Sequence, residues 1–127
     1  MNYTSIEQSK KLLELGLNPE SADMYYEDDI SVEIGHPWHE QHIPCWSVGA
    51  LMKLLPSEIS TGDEWHNKYQ IDIRKYDRTF YQIAFGNDRG LSGSWHDRIS
   101  TKECDNLLDA CFNMICWLLE NGYIKKE

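Results

Sequence analysis

Basic residues are scarce in this sequence, which has 12 Lys and Arg against 21 Asp and Glu and a formal net charge of −9. Non-specific nucleic-acid binding and attachment to an anionic membrane surface both need a surplus of basic side chains, so we expect neither. Long apolar runs are also missing, because the longest, Met114 to Leu119, is far too short to span a membrane. The first residues lack the basic and apolar regions of a secretory signal, so we expect none.

Cysteine is present at only four positions, Cys45, Cys104, Cys111 and Cys116. We expect the last three in one helix, where their separations along the axis disfavour mutual disulfides. Buried, reduced thiols in a cytoplasmic protein are the simpler interpretation.

Motifs for common catalytic sites are absent as well: there is no G-x-S-x-G, no G-x-G-x-x-G and no Walker-type loop. Cys45 could be paired with His39 or His96 as nucleophile and base, but no nucleophile motif surrounds it. We therefore favour a non-enzymatic protein with no catalytic residue and no cofactor.

The negative charge lies entirely in the first half of the chain. Residues 1–66 hold 3 Lys and Arg and 12 Asp and Glu, whereas residues 67–127 hold 9 of each. The acidic residues are densest in segment 23–33, at Asp23, Glu27, Asp28, Asp29 and Glu33. Such a cluster can attract a basic partner through its field, and the alternative is a solvated face that keeps the protein soluble.

A histidine-rich segment follows, with His36, His39 and His42 as candidate metal ligands. Their H-x-x-H-x-x-H spacing lacks the i, i+4 pair of a helical zinc site, and Pro37 disfavours a helix here. We therefore favour a solvated or pH-sensitive loop over a metal site. Trp38 and Trp46 flank this loop and are candidate anchors for a protein partner, with core packing as the alternative.

Three helices are expected from their end signals. Thr4-Ser5-Ile6-Glu7 has the form of a capping box, and Gly16 is placed to end the first helix. Ser47 can cap a short helix that stops before Pro56. Ser100-Thr101-Lys102-Glu103 predicts the start of the last helix, and Asn121-Gly122 predicts its end.

Strands are expected where apolar residues alternate with polar ones. One such segment is 25–34, in which Ile30, Val32 and Ile34 would form a buried face. Three others are predicted around 69–74, 81–85 and 91–95 and would form an antiparallel meander. Trp95 is expected on its buried face.

The last helix has an unusually wide apolar stripe, running from Cys104 through Leu119. Two interpretations remain open: the helix lies in the core, or it contributes to a homodimer interface.

A resemblance to known proteins is found in three segments, 4–26, 44–56 and the C-terminal 107–122. They resemble small uncharacterised proteins of prophages and mobile elements in gut Bacteroides-like bacteria. That group has no assigned activity, so the resemblance implies a cytoplasmic accessory protein and no catalytic residue.

We predict one domain over residues 1–127 with an α+β fold, in which an antiparallel sheet of three to four strands is packed on one face by the N- and C-terminal helices. The favoured function is a non-enzymatic accessory module that binds another protein. Two alternatives are an acidic inhibitor or nucleic-acid mimic directed at a basic host protein, and a metal-dependent enzyme that uses the three loop histidines.

Overall fold

The computed structural model describes residues 2–60, 68–76, 80–87 and 95–124. In these residues, the helices are α1 (Ile6–Glu14), α2 (Val48–Leu54) and α3 (Leu107–Glu120), with a short 3₁₀ turn at Pro19–Ser21. One antiparallel sheet has the order β2-β1-β3, formed by β1 (Met24–Tyr26), β2 (Val32–Ile34) and β3 (Ile43–Cys45). The other has the order β4-β5-β6-β7, formed by β4 (Glu58–Ser60), β5 (Lys68–Tyr76), β6 (Phe80–Asn87) and β7 (His96–Ser100). The α+β prediction is confirmed, with two small antiparallel sheets in place of the single one expected.

The core lies between the helices and one face of the four-stranded sheet. Helix α3 packs against both α2 and β6, while α1 packs against β3 of the smaller sheet. The inner face of β6 carries Ile83 and Phe85, both fully buried, as their spacing of two residues predicts. The apolar stripe of α3 is covered in the same way, since its buried residues are Leu108, Ala110, Cys111, Met114, Ile115, Leu118 and Leu119. Core packing within one chain therefore accounts for this stripe. The stripe no longer favours a homodimer, which stays a prediction.

Neither predicted capping box has its first residue at a helix N-cap. Ser5 is the N-cap of α1, with Gln8 as its partner, one residue later than expected. The Thr4 hydroxyl is used in the core instead, where it accepts a hydrogen bond from the Trp46 amide at 3.0 Å. The hydroxyl of Thr101 likewise accepts from the Ile83 amide at 3.1 Å. Ser100, the second expected cap, instead ends β7 opposite Ala84, and it is the neighbouring Thr101 that bonds to β6.

Helix α3 consequently starts later than predicted, at Leu107, with Asn106 as its N-cap. Cys104 precedes the helix and pairs with Tyr81 of β6 through two backbone hydrogen bonds. The prediction of three cysteines in one helix is therefore wrong, because the helix contains only Cys111 and Cys116. All four thiols are free.

Several helix ends agree with the sequence signals. Gly16 and Gly122 adopt positive φ angles of 96° and 78° after α1 and α3, which L-residues with a side chain rarely tolerate. Ser47 caps α2 by accepting from the Ala50 amide at 3.1 Å. The predicted turns at 76–78 and 86–90 and the predicted strand residues 91–94 lie wholly or partly outside the described residues.

The outer face of the four-stranded sheet carries an ion-pair network centred on Arg74. Its guanidinium contacts Asp72 at 2.6 Å and makes a bidentate pair with Asp97. The indole of Trp95 donates to Asp97 at 2.7 Å and is half-buried on this outer face, opposite to the core face predicted for it. The Arg74 guanidinium, followed by the Trp95 hydrogen bond, holds the pKa of Asp97 below its usual value of 3.8.

We expect Asp97→Asn to lower the free energy of unfolding at neutral pH by up to about 1 kcal/mol, because the pair is partly exposed. A carboxylate whose pKa is depressed in the folded state stabilises it above the unfolded value, and this stabilisation is lost as the pH falls through the folded pKa. The difference in unfolding free energy between variant and wild type should therefore shrink below about pH 4. Urea unfolding at neutral and acidic pH measures this, with Asp29→Asn as an exposed control. A difference that persists unchanged in acid would contradict the assignment.

Candidate protein-binding surface

Segment 25–34 forms a hairpin and not the single strand that its alternation predicts. Strands β1 and β2 pair with Tyr25 opposite Glu33, and residues 27–31 reverse the chain between them. The Asp28 carboxylate holds this turn by accepting from the amides of Ile30 at 2.8 Å and Ser31 at 2.6 Å. These hydrogen bonds, that of Ser31 first, lower the pKa of Asp28. An aspartate that bonds amides two and three residues later is a known turn device, so this signal was present in the sequence.

The hairpin exposes large apolar side chains. Ile30, Ile34 and Trp38 are 88%, 87% and 74% exposed, whereas the next most exposed large apolar residue that the structure describes, Tyr76, is 41% exposed. The prediction of a buried face for Ile30 and Ile34 is therefore wrong. Ile30 lies in the turn and Ile34 at the end of an outer strand, so neither reaches the core. Exposed apolar residues grouped in one short segment mark an interaction site more often than isolated ones do.

Four of the predicted acidic residues lie in the same segment of the chain as these apolar side chains. Glu27, Asp28, Asp29 and Glu33 are all exposed. No Lys or Arg is present in the sequence between Lys11 and Lys53, and the ion pairs found among the described residues all lie outside that interval. We call residues 27–34 together with Trp38 the acidic edge.

Tyr25 ties Trp38 to the hairpin. The indole nitrogen of Trp38 donates to the Tyr25 hydroxyl at 3.3 Å, and the ring of His42 stacks on Tyr25 with centroids 4.5 Å apart. Trp38 also meets His42 edge-on at 4.8 Å. The contacts give an exposed tryptophan a fixed position beside β1 and β2, which lowers the entropy cost of using it as an anchor.

The three loop histidines do not form a metal centre in the part of the chain that the structure describes, where no group of three or more His, Cys, Asp or Glu side chains is placed to hold an ion. The Nδ1 atom of His39 accepts from the Gln41 amide at 3.1 Å, and that of His42 accepts from the Trp38 amide at 3.4 Å. Both rings therefore shape the loop through backbone bonds. His36 instead lines an open cleft of about 520 Å³ with Pro19, Glu20 and Pro37.

Two of the predicted contact residues have structural roles. Trp46 is 0% exposed and donates from its indole nitrogen to the Ser21 hydroxyl at 2.9 Å, so it is a core residue and no anchor for a partner. The Asp23 carboxylate accepts from both the amide and the hydroxyl of Ser47 at the start of α2, and the Asp23 carbonyl accepts from the Gly35 amide at 2.8 Å. Asp23 thus joins the hairpin to α2 and does not belong to the acidic edge.

Cys45 is also part of the core. Its Sγ atom lies 3.3 Å from the Thr4 carbonyl oxygen, to which it donates, and the side chain is fully buried. Burial raises the pKa of the Cys45 thiol, which keeps it protonated at neutral pH, whereas a nucleophilic cysteine needs a lowered pKa. The geometry favours packing over catalysis at this position.

No family model, curated protein or solved structure matches the chain significantly. None of the helices in the described part of the chain is both long enough and apolar enough to cross a membrane.

Sequence reasoning missed Ile30 and Ile34 as surface residues because a period of two is shared by a buried strand and by this hairpin. The discriminating signal was Asp28-Asp29 in the middle of the segment, since aspartate is rare inside strands and common in turns. Trp38 and Trp46 were both named as candidate anchors with core packing as the alternative, and of the two only Trp38 is exposed.

Proposed function

We propose that this protein is a non-enzymatic accessory module, of the kind that prophages and mobile elements carry, which binds a basic protein partner through the acidic edge. The observation that carries the proposal is that Ile30, Ile34 and Trp38 are strongly exposed in a segment with four exposed carboxylates and no Lys or Arg. Protein interfaces combine such apolar anchors with a polar rim, and tryptophan is enriched among the residues that dominate binding energy.

Charge determines the class of partner. Four exposed carboxylates with no basic side chain in the surrounding sequence give a field that accelerates association with a basic surface and repels an acidic one. The apolar residues favour a partner that buries them, because each aliphatic side chain removed from water contributes about 1.5–3 kcal/mol. A pure phosphate mimic needs the carboxylates alone, so the exposed isoleucines favour an apolar and basic contact over simple mimicry.

The experiment is quantitative capture from a lysate of cells that carry the gene, with immobilised wild type and two serine variants. Ile30→Ser removes an anchor of the acidic edge, and Ile73→Ser is the matched control, because Ile73 is 40% exposed on the other sheet. We expect basic proteins retained by wild type and Ile73→Ser to bind Ile30→Ser about tenfold less well or worse. Retention that is equal for the two variants, or no protein enriched by wild type, would contradict the proposal.

A charge-reversed variant tests the electrostatic part separately. Glu27→Lys with Asp29→Lys reverses two exposed charges, and Asp28 is left in place because it holds the turn. Capture of the partner should fall further at low salt than at high salt, since screening weakens the interaction of exposed charges.

A further inference from the structure

Strand β2 is the outer strand of its sheet, and its backbone orientation is fixed by the pairing with β1. Hydrogen bonds run from the Gly35 amide to the Asp23 carbonyl and from the Glu27 amide to the Ser31 carbonyl. Antiparallel strands alternate between hydrogen-bonded and non-hydrogen-bonded pairs, so Tyr25 and Glu33 form the bonded pair between these two. The amides and carbonyls of Val32 and Ile34 must then point away from β1, towards the outer edge.

The other edge of this sheet is covered, whereas the β2 edge is not. Beyond β3, the chain at Trp46 and Val48 is paired with residues 2–4 through backbone hydrogen bonds of 2.9 and 3.0 Å, and α1 packs against β3. At β2, no backbone hydrogen bond from another described segment reaches Val32 or Ile34. An outer strand with unpaired backbone groups is a template for one more strand.

We infer that an extended basic segment of the partner adds to β2 as an antiparallel fourth strand. This inference rests on the proposed function and specifies how the partner binds. Val32 and Ile34 lie on one face of the strand and Glu33 on the other, because side chains alternate. A matching strand therefore places apolar residues opposite Val32 and Ile34 and basic residues beside Glu33, with Trp38 held near the Glu33 face through Tyr25.

A second copy of this chain is the competing occupant, and charge argues against it. Antiparallel pairing of β2 with its own copy would place the two Glu33 residues opposite each other, and like charges directly opposite across neighbouring strands are destabilising. The same carboxylates attract the added strand when it carries Lys or Arg. The acidic side chains thus select a basic strand and reject self-pairing.

The probe is a short capped peptide in which lysine alternates with valine, and its affinity for the full-length protein is measured by titration calorimetry. In antiparallel pairing, the valines opposite Val32 and Ile34 exchange both backbone hydrogen bonds with them, while the lysine amides point outward. A peptide N-methylated at its valines should therefore bind about tenfold more weakly or worse, whereas one N-methylated at its lysines should stay within about threefold of the parent. The two modified peptides have the same charge and number of methyl groups.

A pair of protein variants gives a second test of strand addition. Ile34→Pro removes the outward amide without breaking a bond to β1, and Ile34→Ala removes the same side chain but keeps the amide. We expect Ile34→Pro to bind the parent peptide about tenfold more weakly than Ile34→Ala. Circular dichroism confirms that both fold, and the peptide pair decides the question if the proline variant does not.

The outcomes separate this inference from the proposed function. Equal binding of the two methylated peptides would overturn strand addition and leave binding through side chains and charge intact. Absence of peptide binding up to about 1 mM would overturn recognition of a basic strand, while the Ile30→Ser capture result stands independently. A dimer seen by sedimentation without peptide, and lost in Ile34→Pro, would assign the edge to a second copy.

Discussion

Trp46→Ala is expected to lower the free energy of unfolding by about 4 kcal/mol, among the largest effects of any single substitution in this chain. The indole is completely buried and its nitrogen donates to Ser21. Removing it leaves a large cavity and takes away the indole donor to the Ser21 hydroxyl, which keeps its own bond to the Asn18 carbonyl. The measurement is urea unfolding followed by circular dichroism, which does not depend on the fluorescence of the residue removed.

Trp38→Ala is the matched control, since it removes the same side chain from the other end of the same loop. Trp38 is 74% exposed, so its loss should change the free energy of unfolding by no more than about 0.5 kcal/mol. It should instead weaken capture of the partner. Similar destabilisation by the two substitutions would contradict the division into one core tryptophan and one surface tryptophan.

The sequence treats these two tryptophans alike, and this illustrates what local patterns can predict. Each is next to a proline or cysteine in an irregular segment. Neither belongs to a periodic run that would predict whether its side chain faces the core or the solvent. The difference comes from a long-range contact: residues 2–4 pair with the chain at Trp46 and Val48, enclosing Trp46. Pairing between segments more than forty positions apart in the sequence is set by tertiary packing, which outweighs local preference.

Elements with strong local signals were predicted well. Strands β5 and β6 form where the alternation predicts them, and the Ser47 cap and the glycines after α1 and α3 agree with the structure. The predicted buried face of β5 does not extend to Ile73, which is 40% exposed. The start of α1 was predicted one residue early, because Thr4 and Ser5 each have a suitable capping partner three residues later. The hydrogen bonds of the Thr4 hydroxyl to Ser9 and to the Trp46 amide in the core decide between them.

The residues of the candidate site also divide into those that local composition identifies and those that only tertiary contacts decide. Local composition identified the acidic segment, and Glu27, Asp28, Asp29 and Glu33 are indeed exposed. It could not separate Asp23, whose carboxylate is recruited by Ser47 from a distant part of the chain. Nor could it reveal the outward backbone groups of β2, because the edge of a sheet is a property of strand order.

Gly86→Ala is the second substitution with a large expected effect, and we expect it to cost about 2–3 kcal/mol of unfolding free energy. Gly86 lies in β6 at a register shift, where Phe85 faces Ile99 but Gly86 faces Asp97. An added Cβ would lie 2.7 Å from the Trp95 indole nitrogen and closer still to the backbone carbonyl oxygen of His96. The carbonyl belongs to the bulged strand and can move only by disturbing the pairing, while the indole is held by its bond to Asp97.

Gly49→Ala provides a control of opposite sign under the same urea assay. A Cβ at position 49 would meet its nearest neighbour, the Ser47 hydroxyl, at 3.7 Å, an ordinary contact. Because Gly49 lies inside α2, alanine should favour the helix by up to about 1 kcal/mol. The two glycine-to-alanine changes should therefore move the unfolding midpoint in opposite directions. A shift of the same sign in both variants would show that Trp95 and the bulge do not constrain β6 as described.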